Sequence, residues 1–404
     1  DRIVRQGRAF GIHVILGSQT LGGAYTLART TLGQMVIRVA LQCNEADAYL
    51  IMDDSNPAPR LLTRPGEGIY NDQAGMIEGN SPFQVVWLSD DEREDWLGKV
   101  SAKAASTGRE FAAPIVFEGN APAEIRENAP LRKAIAAFPG LAKAASEIHL
   151  WLGAPNAIKG PTQAVFQRQS GNHLLIVGQR DEAALTMLTV GMTSLSAQFP
   201  REGVRFLLLD SSAPETPERE HIEHVASLLP HAVTIARGHD LESEMAELSQ
   251  ELERRQADES ASATAPSVFV LVNGLQRIKK LKYEEDFSFS LDDSAGGGSP
   301  GTQFNNLITD GPSLGIHVIA TCDTYNNLNR LLSRKALSEF EMRVLFQMSA
   351  NDSASLIDSP KASGLGLHRA LFYNEQEGYL ETFRPYAQPD RDWFEEAGRA
   401  FAAP

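Results

Sequence analysis

An apolar run, Leu174-Leu175-Ile176-Val177, leads into Gly178-Gln179-Arg180 and then into a helical pattern opening with Asp181-Glu182-Ala183-Ala184-Leu185-Thr186. Strand, glycine turn and helix start are the parts of a phosphate cradle. Glycine lets backbone N–H groups wrap the anion, and the helix dipole adds positive potential. A triphosphate needs two more groups, a lysine for the β- and γ-phosphates and a Ser or Thr hydroxyl for magnesium. Here alanine stands at the lysine position and leucine at the hydroxyl position, so Gly178, Gln179, Arg180, Ala183, Ala184 and Leu185 make a degenerate loop. Asp181 and Glu182 also put carboxylates at the dipole end that phosphate would use, so the loop caps itself.

The acidic partner of such a loop fails as well. Val268-Phe269-Val270-Leu271-Val272 should deliver an Asp for magnesium and a Glu to polarise water, yet Asn273 and Gly274 follow. Without lysine, metal ligand or base, phosphoryl transfer loses most of its electrostatic support. The expectation is a module that kept its sheet and lost hydrolysis; residual nucleotide binding through Gly178, Gln179 and Arg180 is the alternative. The densest basic run, Arg277-Ile278-Lys279-Lys280-Leu281-Lys282, is either a polymer-facing loop or a turn neutralised by Glu284, Glu285 and Asp286. His221 and His224 share a helix face near His231, but metal binding would need further ligands in a geometry that a sequence does not show, and no metal site is expected.

The elements that position these groups come from an α/β series: strands at 174–177, 205–210 and 268–272, and helices at 182–196 and 241–256. An internal repeat extends it. Gly11-Ile12-His13-Val14-Ile15 returns as Gly315-Ile316-His317-Val318-Ile319; Arg38-Val39 and Gln42 return as Arg343-Val344 and Gln347. Asp47, Asp53 and Tyr70-Asn71 then answer Asp352, Asp358 and Tyr373-Asn374 in the same order. Each copy reads as a buried strand with a polar end, a helix, and a second strand opening at the arginine. Short buried strands alternating with helices imply a parallel sheet covered on both faces. The layout is a first module closing at 1–89, a connector at 90–149, a second module at 150–390 and a tail at 391–404. Stretches 257–265 and 291–301 read as mobile loops.

Composition bounds the function. The chain has 404 residues, 42% hydrophobic, enough for two or three domains. With 37 basic and 52 acidic side chains the net charge is −15, so the average surface repels phosphates and any DNA contact must be local. The only cysteines, Cys43 and Cys322, argue against a disulfide framework and for a reducing compartment, the cytoplasm. No apolar run approaches the roughly 18 to 20 residues of a membrane-crossing helix. Residues 1–8 read as a basic helix already under way, which predicts further sequence upstream.

Arg8-Ala9-Phe10-Gly11-Ile12-His13-Val14-Ile15-Leu16-Gly17-Ser18-Gln19-Thr20, the block Arg38-Val39-Ala40-Leu41-Gln42 with Asp47 and Asp53, and Arg64-Pro65-Gly66-Glu67-Gly68-Ile69-Tyr70 together resemble the FtsK/SpoIIIE and HerA-type P-loop ATPases. Trp151-Leu152-Gly153 and the run 173–178 are similar to entry strands of tandem members such as EccC. The resemblance implies doubly wound, mostly parallel sheets of RecA-like P-loop type: one truncated module followed by one complete, degenerate module. It implies a homo-oligomeric ring that pulls a polymer, DNA first and polypeptide cargo as the alternative, using ATP and Mg2+ in the parent protein. Ser18 and Gln19 would be γ-phosphate sensors of the first module, with Asp323 breaking the pattern at the Gln19 position of the second. Arg5, Arg8 and Arg38 would be candidate fingers on a neighbour's phosphate, or partners of local carboxylates.

Overall fold

The computed structural model describes residues 2–20, 29–109, 121–284 and 298–403, which divide into two compact units, Asp1–Ile115 and Val116–Pro404.

In the first unit, β1 (Arg38–Leu41), β2 (Glu67–Asn71) and β3 (Asn80–Gln84) form an antiparallel meander. The helix Glu45–Ile51 follows β1; the Asn44 side chain caps it by accepting the Asp47 N–H at 2.8 Å. Ala40, Met52 and Ile69 make a small core between helix and sheet. The Arg38 guanidinium closes the motif, donating to the carbonyls of Met35 (3.1 Å), Ile51 (3.0 Å) and Met52 (3.1 Å). It thereby satisfies carbonyls that a helix end leaves without partners. The strand expected over residues 12–16 does not form: this run pairs with no described strand, and the Ile15 side chain is 96% exposed. The local pattern suits a strand, but a strand needs a neighbour for its N–H and C=O groups.

The second unit is a 10-stranded sheet. Its strands are β4 (Ile148–Pro155), β5 (Thr162–Phe166), β6 (Leu174–Val177), β7 (Val204–Asp210), β8 (Ala232–Ala236), β9 (Ser267–Asn273), β10 (Ile316–Cys322), β11 (Met342–Leu345), β12 (Ala370–Asn374) and β13 (Tyr379–Pro385). They lie in the order β5-β4-β13-β12-β11-β6-β10-β9-β7-β8. From β11 to β8 every pairing is parallel, while β12, β13, β4 and β5 add an antiparallel flank. Side chains alternate between two cores. Leu174, Ile176, Phe269 and Ile319 face the helices Asp181–Ser196, Pro217–Leu228 and Arg391–Ala402. Leu175, Val177, Val270 and Val318 face Leu241–Ala257 and Pro300–Asp310. This is the expected doubly wound, mostly parallel α/β architecture.

The repeat is visible as repeated geometry. β11 is followed by the helix Ala350–Ile357, capped by Ser349 on the Asp352 N–H, and then by the antiparallel strands β12 and β13. Arg343 donates to the carbonyls of Phe340 and Leu356, the same sequence offsets that Arg38 uses to Met35 and Ile51.

Several stretches differ from the sequence reading. The 90–149 connector is divided: a helix at Asp90–Ser106 lies in the first unit, and the helix Ala129–Ala137 packs in the second. The 391–404 tail is the helix Arg391–Ala402, whose Trp393, Phe394, Ala397 and Phe401 enter the core. The 257–265 loop is helical over Glu259–Thr264, and the Arg168 guanidinium pins it through the carbonyls of Ser262 (2.7 Å) and Ala265 (2.7 Å). Of the loop at 291–301, residues 291–297 lie outside the described residues, as do Glu285 and Asp286; Ser299 caps the helix that begins at Pro300. No described helix is long and apolar enough to cross a membrane.

Two buried histidines join the sheet to its helices. His173 accepts the Val318 N–H at Nδ1 (2.7 Å) and meets the Ile308 carbonyl at Nε2 (2.8 Å), while His317 Nδ1 meets the Asn172 carbonyl (2.9 Å). Burial, then the neighbouring His317, pushes His173 down to about 3, and burial pushes His317 down to about 4. Both rings are neutral in the fold and take up a proton on unfolding. Their contribution is therefore complete above pH 6.5, the ordinary histidine value, and is lost as pH falls toward 4 and then 3. In denaturant melts followed by circular dichroism between pH 6.5 and 4, His317→Phe should reduce the fall of unfolding free energy with acidification. The reduction should be about one proton, roughly 1.4 kcal/mol per pH unit; an unchanged slope would contradict this account.

Candidate functional site

In parallel α/β sheets ligands sit beyond the carboxyl ends of the strands. There, past β6, β7, β9 and β10, lies a cleft of about 220 Å³. The degenerate loop forms one wall. Gly178 leaves β6 with φ +137°, and a Cβ there would come within 2.7 Å of the Phe346 Cβ, so the turn demands glycine. Its N–H is spent on the Cys322 carbonyl at 3.0 Å. The helix begins at Asp181, directly after Arg180. Ala184 and Leu185 are therefore already helical and buried in the core beneath the turn.

The turn acts as a divide. Gly178, Ala184 and Leu185 face this cleft, whereas Gln179, Arg180 and Ala183 line a second one of about 330 Å³ beside Phe346 and Tyr386. Asp181 borders both clefts. Across the first cleft, Arg277 Nη2 meets Asp181 Oδ2 at 3.0 Å. Lys280 pairs with Glu242 (2.8 Å) and Lys282 with Glu284 (2.9 Å), so the basic run is largely neutralised locally.

Residues that sequence reasoning missed are bonded to the lining residues Ser212 and Asn273. Asp210 ends β7 with a fully buried carboxylate that meets Arg237 Nη2 at 2.9 Å and Nε at 3.0 Å. It also accepts the Ser212 N–H (3.0 Å) and the Asn273 amide (3.1 Å). Burial alone would raise its pKa; hydrogen bonds from Ser212, Asn273 and Arg237 outweigh that and hold it below the usual carboxylate value. Gly274 donates its N–H to Thr321 Oγ1 at 2.8 Å. Burial pushes the adjacent Cys322 thiol up to about 12, so it stays protonated. Asp323 is engaged with the Asn327 side chain at 2.8 Å, at the start of the helix Tyr325–Leu331. The only advance signal for Asp210 was a carboxylate closing an otherwise apolar strand.

This donor set does not fit a magnesium triphosphate. At the positions that the motif spacing assigns to a phosphate-binding lysine, a hydroxyl and a metal ligand stand Ala184, the buried Leu185, and Asn273, whose amide donates to Asp210. No group of His, Cys, Asp and Glu that could hold a metal ion occurs among the described residues. His221 packs edge-on against Phe394, His224 faces Glu395, and His231 meets the Pro200 carbonyl.

In the first unit, Ser18 and Gln19 are exposed at the end of the unpaired run, with Ser18 Oγ donating to the Thr20 carbonyl at 2.6 Å. Arg5 and Arg8 are exposed on the short helical turns at Arg2–Gln6 and Gly7–Phe10. Arg38 is corrected from a candidate finger to a structural tether, because its donors are committed to backbone carbonyls.

Removing one member of a buried ion pair leaves the other charge uncompensated. Asp210→Ala should therefore lower the unfolding free energy of the second unit by about 3 kcal/mol. Arg237→Ala in the Asp210→Ala background should add far less than it does alone. A double-mutant cycle by denaturant melts reads the coupling; additive losses would show the pair to be energetically idle.

No family model and no curated protein matches the sequence. Among solved structures, the chain is similar to the cytoplasmic domain of the type VII secretion ATPase EccC from Thermomonospora curvata. That match has 17% identity and a TM-score of 0.61, over 99% of this chain and 47% of that one. It also aligns with the monomer form of the pCW3 conjugation coupling protein TcpA (10% identity, TM-score 0.48, 84% of this chain and 91% of that one). EssC (ATPases 2 and 3) from Geobacillus thermodenitrificans aligns at 13% identity and a TM-score of 0.45, over 72% and 51%. The chain spans less than half of the EccC domain, and that likeness is one of fold. The fold of the chain is that of the FtsK/SpoIIIE-type P-loop ATPases.

Proposed function

We propose that residues 116–404 are a non-hydrolysing second module of an FtsK/SpoIIIE-type translocase, and that the first unit is the closing part of the first module, in which ATP and magnesium are used. One observation carries the reading. At the turn where a working module binds phosphate, the Asp181 carboxylate meets Arg277, and no lysine, hydroxyl or acidic metal ligand stands at the positions that need them. Ser18 and Gln19 serve the first module as γ-phosphate sensors, and Arg5 and Arg8 reach a neighbouring subunit in a homo-oligomeric ring.

For the substrate, polypeptide is favoured over duplex DNA, the reverse of the order read from the sequence resemblance. The net charge is −15, and Arg277, Lys280 and Lys282 are paired with carboxylates, which weakens the densest basic run in the sequence as a site for a phosphate backbone. A structural relative that aligns over 99% of this chain is, by its name, a secretion ATPase.

Ligand binding to the folded state shifts stability by mass action: a site with a dissociation constant of about 10 μM would add roughly 2.7 kcal/mol at about 1 mM ATP. The 404-residue chain should show no such shift in melts with MgATP, and no ATP turnover. Turnover at an ordinary enzymatic rate would refute the reading of the second unit. In the full-length protein, ATPase stimulation by an exported polypeptide and none by duplex DNA is the expected pattern; the opposite pattern would assign DNA.

A further inference from the structure

We infer that the outer edge of β8 (Ala232–Ala236) is a contact between two copies of this chain, whose β8 strands pair antiparallel about a two-fold axis at Thr234. The pairing joins two 10-stranded sheets edge to edge.

β8 is the last strand of its sheet, and among the described strands it pairs with β7 alone. Every second residue of such a strand directs its N–H and C=O away from the neighbour it already has. Those outward groups meet no other backbone group among the described residues. An open edge is a template for a further strand, and proteins ordinarily blunt it with lysine, proline or a bulge. Ala232-Val233-Thr234-Ile235-Ala236 carries no charge and no proline, and its register to β7 is regular. The opposite edge of the sheet is treated differently. There the Asn172 side chain accepts the Gln167 N–H at 2.9 Å and donates to the Val165 carbonyl at 3.4 Å, which occupies backbone groups at the end of β5.

The sequence of β8 selects the occupant. Read from either end it is alanine, a β-branched aliphatic, threonine, a β-branched aliphatic, alanine. In an antiparallel pairing centred on Thr234, Thr234 meets its own copy, Val233 meets Ile235 and Ala232 meets Ala236. Directly opposed side chains lie on one face of a sheet, and threonine pairs and β-branched pairs are among the favourable ones. The faces also match. Val233 and Ile235 are half-buried against the same core as Leu228 and Leu229, so a second copy covers what they leave open. Ala232 and Thr234 are exposed and small, and leave room for close approach. A shift of one residue would set Thr234 against Val233 or Ile235 and lose the match. The contact is isologous and closes at two chains, so it differs from the head-to-tail contact that a ring requires. A strand of five residues spans only about 17 Å. Such a contact falls below the standard interface of about 800 Å² per partner, which makes the dimer weak and concentration-dependent.

Sedimentation velocity on the 404-residue chain tests this. The mass should move from one chain toward two between about 1 μM and about 300 μM. Thr234→Lys sets like charges directly opposite each other and should weaken the association at least about tenfold. An unchanged circular-dichroism melt of that variant shows that the fold is kept. In a Cys43→Ser background, which leaves only the buried Cys322, Thr234→Cys should give a disulfide-linked dimer on mild oxidation. Directly opposed Cα atoms of an antiparallel pair stand about 4.5 to 5.5 Å apart, within bridging range. His239→Cys, exposed beyond the strand end, should stay unlinked. A chain that remains monomeric at about 300 μM overturns the inference, as does association that Thr234→Lys leaves unchanged. Equal linking at His239→Cys and Thr234→Cys would overturn it too. Slowed amide exchange over 232–236 when an exported polypeptide is added to a monomeric chain would assign the edge to that polypeptide instead.

Discussion

A strand in the middle of a parallel sheet must have both of its backbone edges paired and both of its faces covered, and β6 is the strand on which the second unit meets that demand. Its residues Leu174–Val177 are fully buried between β10 and β11, and their side chains feed two separate cores. The turn that walls the candidate site is placed from that strand. Gly178 turns where β6 ends, Phe346 stands against the turn because β11 is its neighbour, and the next helix starts over the same core. The first unit holds the same strand–helix–meander motif down to the bonds of Arg38 and Arg343, but without this neighbour its apolar side chains face outward.

On the proposed reading of the second unit as non-hydrolysing, charge arrangement at the strand ends makes its departures from a hydrolysing site coordinated. A helix N-terminus stabilises one nearby anion. Asp181 is a built-in anion, and Arg277 balances it. Asn273 stands where a metal-binding carboxylate would be, and its amide donates to Asp210 at 3.1 Å. A carboxylate at that position would face the buried Asp210 carboxylate at the same distance, a like-charge contact that a low-dielectric floor penalises heavily. Asn273 and Asp210 therefore make physical sense as a pair, and Arg237 as the cation that lets Asp210 stay ionised.

What was legible in the sequence was local and apolar. The strands at 174–177, 205–210 and 268–272 showed as short apolar runs bounded by glycine or polar residues, and the repeat showed through its arginine and aspartate spacing. What was hidden depends on distant partners. The 12–16 run has a strand's composition, yet strand formation is decided by neighbours. The helix Glu259–Thr264 has no apolar stripe and is held by Arg168 from nearly a hundred positions away. The closing helix did carry a stripe, Trp393, Phe394, Ala397 and Phe401, but its shortness and place at the end of the chain made it read as a tail. Neither Asp210 nor Arg237 lies in a motif, and only burial makes them a pair. Arg38 looked like a catalytic cation because its carbonyl partners cannot be seen in a one-dimensional string.

The bonds at the carboxyl edge bear on how such a module can work. Motor modules change shape because nucleotide makes and breaks contacts between strand ends. Here Asp181–Arg277, Asn273–Asp210 and Gly274–Thr321 join β6, β7, β9 and β10 at their ends without a ligand. A ligand can shift a conformational equilibrium only by as much as it discriminates between the states. If nucleotide has no site at this edge, it has no leverage on the arrangement of these strands. On the proposed reading, motion must enter the second unit from outside this edge.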